Sequence, residues 1–265
     1  MRLPLRYANK ELIGITGFLK QKRILGQVRK AVEDYNMIDD GDRIAVGISG
    51  KDSITLLIAL NGLKNFFSKK FSLEAVTLTL GIGECDLTYT KNLCKNLNIN
   101  YTVKDTLIGR IVLEERQESN PCSLCANMRR GALNNVAKDL GCNKVALGHH
   151  RDDVIETLIM STIYEGRINT FSPVTYLSRK EIFSIRPLIY CEEKEIKDFV
   201  KSNNIIPIKN PCKVNGKTKR QYVKELLYDI NKHNKYTYEN IFGAIKRSKI
   251  DGWSSELEAS AGGLE

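Results

Sequence analysis

Val46-Gly47-Ile48-Ser49-Gly50-Lys51-Asp52-Ser53 closes the apolar run Arg43 to Ile48 and leads into the apolar stretch Ile54 to Leu63. The first run reads as a buried strand and the second as the helix after it. Small residues between them let the backbone wrap closely around a phosphate, and amide groups at the helix start would point at the anion. Lys51 can add a point charge, Ser49 and Ser53 can offer hydroxyls, and Asp52 can hold Mg²⁺. The spacing is not that of the G-x-x-x-x-G-K-[ST] loop. An ordinary polar strand-to-helix turn would have a similar composition.

Working outward, the pattern alternates. Helical spacing predicts a basic amphipathic helix over 17–36. Leu73 to Leu80 reads as a strand, 86–97 as a helix and Asn100 to Val103 as a strand. A helix over 123–140 stops near Gly141, Lys144 to Leu147 is a strand, and 153–164 is a helix. Ile182 to Ile185 is a strand and Cys191 to Asn203 a helix, with Glu192, Glu193 and Glu195 near its N-terminal end. Strand and helix in turn, with short connections, predict an α/β fold with a mainly parallel sheet flanked by helices. Ligands in such sheets bind at the carboxyl ends of the strands. Residues 39–235 are expected as one domain, 1–38 as a basic helical extension, and 236–265 as a C-terminal extension with a flexible tail.

The chain carries 41 Lys and Arg against 31 Asp and Glu, a formal charge of +10. That balance suits a polyanionic partner such as nucleic acid or an acidic membrane surface. No apolar run is long enough to span a bilayer and no signal peptide is evident, so no membrane association and a cytoplasmic location are expected. Seven cysteines, at 85, 94, 122, 125, 142, 191 and 212, are an odd number for a reducing compartment. Metal or catalytic thiols then take precedence over a disulfide framework.

Pro121-Cys122-Ser123-Leu124-Cys125 opens a predicted helix, whose positive end favours thiolate. A lone C-x-x-C leaves open a redox pair, half a zinc site, part of an iron–sulfur site or two unconnected thiols. Cys212, in Asn210-Pro211-Cys212-Lys213, is a third candidate ligand. Gly148-His149-His150-Arg151-Asp152-Asp153 follows a strand and starts a helix. Its adjacent carboxylates suit Mg²⁺ binding or proton transfer, and equally an N-cap.

The loop at 49–53 resembles the S-G-G-K-D-S loop of PP-loop ATP pyrophosphatases, with one glycine where that family usually has two. Cys122 and Cys125 followed by Arg129-Arg130-Gly131, then the Gly148 to Asp153 turn, then Cys212, resemble the tRNA 2-thiolation enzymes of the TtcA/TtuA type. The likeness runs from about residue 40 to 230. It implies a PP-loop fold, with ATP held by Ser49, Gly50, Lys51, Asp52, Ser53, Gly148, His149 and Asp152, together with Mg²⁺. It implies a [4Fe–4S] cluster on Cys122, Cys125 and Cys212, and leaves the other four cysteines structural or incidental. Asp153 is implied as the proton-transfer residue, with Lys51 and Arg129 offsetting charge; Arg129 stays protonated and cannot be a base.

The implied reaction adenylates C2–O of a tRNA pyrimidine and replaces the oxygen with sulfur from sulfide or a persulfide carrier. Helix 17–36, Lys213, Lys217, Lys219 and Arg220 would contact tRNA phosphates, and a homodimer is implied. One subgroup carries zinc-binding cysteines at both ends. Leu5 to Lys10 resembles a remnant of its N-terminal module, but no cysteine precedes Cys85 or follows Cys212, so no structural zinc is expected. The rival readings are a PP-loop enzyme acting on another substrate, cluster-dependent desulfuration of a thiolated base, and a non-catalytic RNA-binding relative.

Overall fold

The structure is a computed structural model that describes residues 15–116, 121–209, 212, 218–248, 250 and 252–253. The segment 5–10, Lys213, Lys217 and the tail from 254 onward lie outside the described residues.

A strand covered by helices on both faces must be apolar on both, and β1 (Asp42–Gly47) is: Ile44 and Val46 enter one core, Ala45 the other. β2 (Phe71–Leu78) and β3 (Asn100–Lys104) lie parallel to β1 on one side. β4 (Lys144–Ala146) pairs with β1 on the other side. β5 (Val174–Leu177) runs antiparallel to β6 (Ile182–Ile185), giving the order β3-β2-β1-β4-β6-β5. The chain winds outward from β1 to β3 and then crosses back to β4. The carboxyl ends of β1 and β4 therefore flank the switch point where such sheets place ligands.

α1 (Ile15–Asp34), α2 (Lys51–Leu63) and α7 (Glu193–Ser202) pack on one face of the sheet and one another. α5 (Pro121–Asp139) covers the other face, with Leu133, Val136 and Ala137 against Ala45, Val76 and Val145. α3 (Thr88–Asn96), the short α4 (Ile108–Arg110) with a π-turn over Ile111–Glu115, α6 (Arg151–Glu165), α8 (Lys219–His233) and α9 (Thr237–Arg247) complete the shell. Among the described residues no helix is long and apolar enough to cross a membrane.

The stretches expected as extensions feed the main core. Ile24, Val28, Ala31 and Val32 of α1 are buried in it, as are Ile245 of α9 and Trp253. Trp253 meets Tyr35 and Phe242 edge-on, and its Nε1 donates to the Phe171 carbonyl at 3.1 Å. The basic face of α1 is largely occupied within the protein: Arg29 pairs with Glu33, Lys30 with Asp34 and Arg23 with Glu195.

At the amino ends of the central strands, Lys144 is 5% exposed. Its Nζ lies 2.8 Å from both Asp39 and Asp42 carboxylates and donates to the Met37 carbonyl at 3.1 Å. Asp42, 4% exposed, also accepts from Asn143 Nδ2 at 2.7 Å. Removing the lysine strands that carboxylate in the interior. Lys144→Ala is expected to lower unfolding free energy by about 3–5 kcal/mol; urea midpoints with an unchanged m-value are the check.

Candidate functional site

The loop after β1 is tied to β2, because the Ile48 amide donates to the Val76 carbonyl at 2.7 Å. Ser53, almost fully buried, then organises the turn. Its Oγ accepts from the Ser49 and Gly50 amides at 2.8 and 3.1 Å and donates to the Gly50 carbonyl at 2.9 Å. The N-cap of α2 is Gly50, which has no side chain to satisfy the helix's first amides. Those amides and the helix dipole make an anion site with a single glycine in the loop.

The loop after β4 lies directly against this turn. A Cβ on Gly148 would stand 2.9 Å from the Ser53 amide nitrogen and 3.1 Å from the Asp52 carbonyl carbon, so only glycine lets the two loops touch. His150 then caps α6: its Nδ1 accepts from the Asp153 amide at 3.4 Å, and its own amide donates to Asp153 Oδ2 at 3.1 Å. His150 Nε2 sits 3.4 Å from Asp153 Oδ2 and 4.0 Å from Asp52 Oδ1, between the two carboxylates.

Around these loops is an open cleft of about 1010 Å³. Ser49, Gly50, Asp52 and Ser53 form one end; Val76, Leu78 and Leu133 form an apolar wall suited to a planar base; Arg129, Arg130, His149 and Asp153 face it. Burial would raise the Asp153 carboxyl. The neighbouring imidazoles of His150 and His149, the Arg220 guanidinium and the His150 amide hold it below the ordinary carboxylate range. Arg220 reaches across from α8, its Nη1 3.0 Å from Asp153 Oδ1 and 3.4 Å from Glu156 Oε2. Burial lowers His149 to about 4; Asp153 opposes this, while Arg186, Arg220 and Arg130 reinforce it. His149 is therefore neutral near pH 7, tilted against Phe171 at a ring distance of 4.8 Å.

Two expected nucleotide ligands are engaged by other residues of the protein. Asp152 Oδ2 accepts from the Glu193 amide at 2.6 Å, capping α7. Lys51 Nζ lies 2.9 Å from Asp52 and 3.3 Å from Glu193 Oε1. Burial would raise Glu193, but hydrogen bonds from Lys224 and Lys197 and the Lys51 charge hold it at about 2. The sequence reading gives no role to His150 or Arg130, and it offers Arg220 as a tRNA-phosphate contact rather than as the partner of Asp153. His150 was visible as the residue three before Asp153, and Arg130 as the neighbour of Arg129, but only the fold brings Arg220 to α6.

A second pocket of about 680 Å³ holds Cys122, Cys125 and Cys212, walled by Leu80, Ile82, Val112 and Leu113. The π-turn supplies Val112 and Leu113, and the first turn of α5 supplies two of the cysteines. Burial raises the Cys125 thiol, Arg129 opposes, and Cys212 and Cys122 raise it further, so the three sulfurs share one electrostatic neighbourhood. Among the described residues no three His, Cys, Asp or Glu side chains converge on a single-ion site. Three thiols around an apolar pocket instead fit a cluster, where each thiolate takes its own iron. Cys94, Cys142 and Cys191 are buried in the cores, and burial pushes all three thiols up.

The two pockets share a wall. Ala126, Arg129, Arg130 and Leu133 fall on one face of α5 at i, i+3, i+4 and i+7, and Ala126 and Arg129 line both cavities.

A family model described as a PP-loop domain matches residues 21–230. The tRNA-cytidine(32) 2-sulfurtransferase of Geobacter sulfurreducens is 36% identical over 236 residues, covering 88% of this chain and 89% of the relative. The protein of the same name from Pelobacter propionicus is 37% identical over 228 residues, covering 84% and 85%. In fold, the chain is similar to the U34-tRNA thiolase NcsA from Methanococcus maripaludis, solved with its [4Fe–4S] cluster. The TM-score is 0.71 at 22% identity, over 88% of this chain and 82% of that one.

Gly148→Ala must push the two loops apart, and ATP affinity by calorimetry is expected to fall at least about tenfold, since misplacement of this order disrupts site geometry. A second prediction concerns Glu156, which burial and Asp153 raise from 4.5 to about 7. Between those values the folded chain keeps a proton that the unfolded chain has lost, so this group's contribution falls as pH rises. Glu156→Gln is expected to add up to about 3 kcal/mol of stability at about pH 8 and little at about pH 4, read from urea midpoints.

Proposed function

The chain belongs to the PP-loop family, alongside the tRNA-cytidine(32) 2-sulfurtransferases, and from that membership we propose that it thiolates C2 of cytidine 32 in tRNA at the cost of ATP. The observation that carries the reading is the shared wall: Ala126 and Arg129 border both the nucleotide cleft and the three-cysteine pocket. Activation and sulfur delivery can then act on one base without its leaving the site.

The cytosine O2 attacks the α-phosphorus of ATP, forming a C–O–P bond as pyrophosphate departs. A sulfur nucleophile entering from the cysteine side adds at C2, the C–O bond breaks, and AMP leaves, so one oxygen is exchanged for one sulfur. The amides at the start of α2 hold the phosphates. Asp52, in the cleft beside the loop, is the carboxylate placed to bind Mg²⁺ with them. Arg129 and Arg130 offset charge developing on the α-phosphate. Asp153 remains ionised to take the proton released as sulfur adds, while Arg220 and the His150 amide fix its carboxylate.

Cys122, Cys125 and Cys212 would hold a [4Fe–4S] cluster, which supplies an iron with one coordination position free of protein. Sulfide is the donor, supplied free or released from a persulfide carrier when a thiol reductant cleaves its S–S bond; tRNA is the macromolecular substrate, and a homodimer the working assembly.

The test is mass spectrometry of tRNA nucleosides from a deletion strain carrying the wild-type gene, the Cys122→Ala gene or no gene. 2-Thiocytidine should be present with the first and absent with the other two. Purified Cys122→Ala should also lack the visible absorption of an iron–sulfur cluster. Full thiolation by that variant would overturn the cysteine assignment, and an unchanged nucleoside profile in the deletion strain would overturn the reaction.

A further inference from the structure

Three successive residues at the start of α8 face three different places. Thr218 lines the cysteine pocket, Arg220 bonds Asp153 at the nucleotide cleft, and Lys219 between them turns outward, its Nζ 4.7 Å from the ring centroid of Tyr164. Tyr164 is 41% exposed near the end of α6, beside Ile163 at 50%. Gly166 ends that helix in a left-handed conformation, and the chain folds back so that the Arg167 amide donates to the Ser161 carbonyl. Ile168, just beyond, is 76% exposed. Tyr222, one helical turn after Lys219, is 57% exposed. The result is an outward face of two tyrosines and two isoleucines with Lys219 and Arg167 among them. The acidic neighbour Glu165 is drawn to the Ser161 hydroxyl.

We propose that this face is where the RNA docks, with Tyr164 and Tyr222 stacking unpaired bases of the same loop as the nucleotide undergoing modification. The proposal rests on the tRNA reading above and adds the surface to it. Three arguments select RNA. The chain carries a formal charge of +10, and Lys219 on this face lies over the Tyr164 ring, the combination that binds single-stranded nucleic acid. Flat rings offer every base a stacking partner without demanding a sequence, as loop recognition requires. The face also begins at the residue between the cysteine pocket and Asp153, and Tyr164 lies about 16 Å along α6 from Asp153, so a loop stacked on it would bring a base a few nucleotides away to the mouth of the site.

The experiment compares the full-length wild-type protein with Tyr164→Ala/Tyr222→Ala and Lys219→Glu. Binding is measured to a synthetic tRNA anticodon stem–loop and to a blunt RNA duplex, over a salt series, with ATP affinity and molar mass in parallel. Losing the two rings should weaken stem–loop binding at least about tenfold and leave duplex binding and ATP affinity unchanged. Lys219→Glu should make the salt dependence shallower by about one contact.

Unchanged stem–loop affinity in the double variant overturns the surface while leaving the reaction standing. A fall in molar mass with RNA affinity retained overturns it in favour of an interface between copies. Failure of the wild type to bind either RNA overturns the surface together with the tRNA reading.

Discussion

The closeness of two loops governs this molecule. The turn after β4 crosses the first turn of α2 with no room for a side chain at Gly148. That contact is possible because β1 and β4 are adjacent parallel strands, so the loops that follow them emerge side by side. It sets the α2 amides, Asp52, His150 and Asp153 in one small volume. A parallel sheet with a switch point makes the cleft, and one missing Cβ brings its two halves within reach of the same phosphate.

Charge in that volume is arranged by burial rather than by number. Asp153 is kept ionised by the Arg220 guanidinium and the hydrogen bond from the His150 amide, while Glu156, one turn along and under the same arginine, is pushed up to about 7. Two carboxylates near one cation thus separate in acidity, the usual sign that one is held for chemistry. His149 is kept neutral by burial and by the surrounding arginines. The cost falls on stability, because buried Glu156 favours a proton that solvent would otherwise remove.

Much of this was legible in the chain itself. The apolar runs around Ile44, Val76 and Val145 announced a parallel sheet, and the loop at 49–53, Cys122-x-x-Cys125 and the turn at 148–153 were found as local patterns. What escaped was non-local or sparse. β5 is an edge strand of only four residues, too short to show a period, recognisable once Tyr176 stacks on Phe183 across the hairpin. α8 buries only Val223 and Leu227 and reads as a charged stretch. Asp152 and Asp153 are indistinguishable by type; Asp153 closes the capping box of its own helix, and only the arrival of α7 makes Asp152 a cap for another. The loop sequence names Lys51 but not its partners: its ammonium lies 2.9 Å from Asp52, which lines the cleft, and 3.3 Å from Glu193, far along the chain.

The sole tryptophan of the chain gives the nucleotide cleft an optical readout. Trp253 is buried, donates from its indole to the Phe171 carbonyl, and Phe171 lies against His149 on the cleft wall. Its emission comes from one site with one environment, so no second indole dilutes the signal. A ligand that shifts His149 moves the ring stacked on it and the carbonyl to which the indole is bonded. The wild-type protein therefore carries a built-in fluorophore two contacts from its nucleotide, and occupancy of the cleft can be followed in real time without a label.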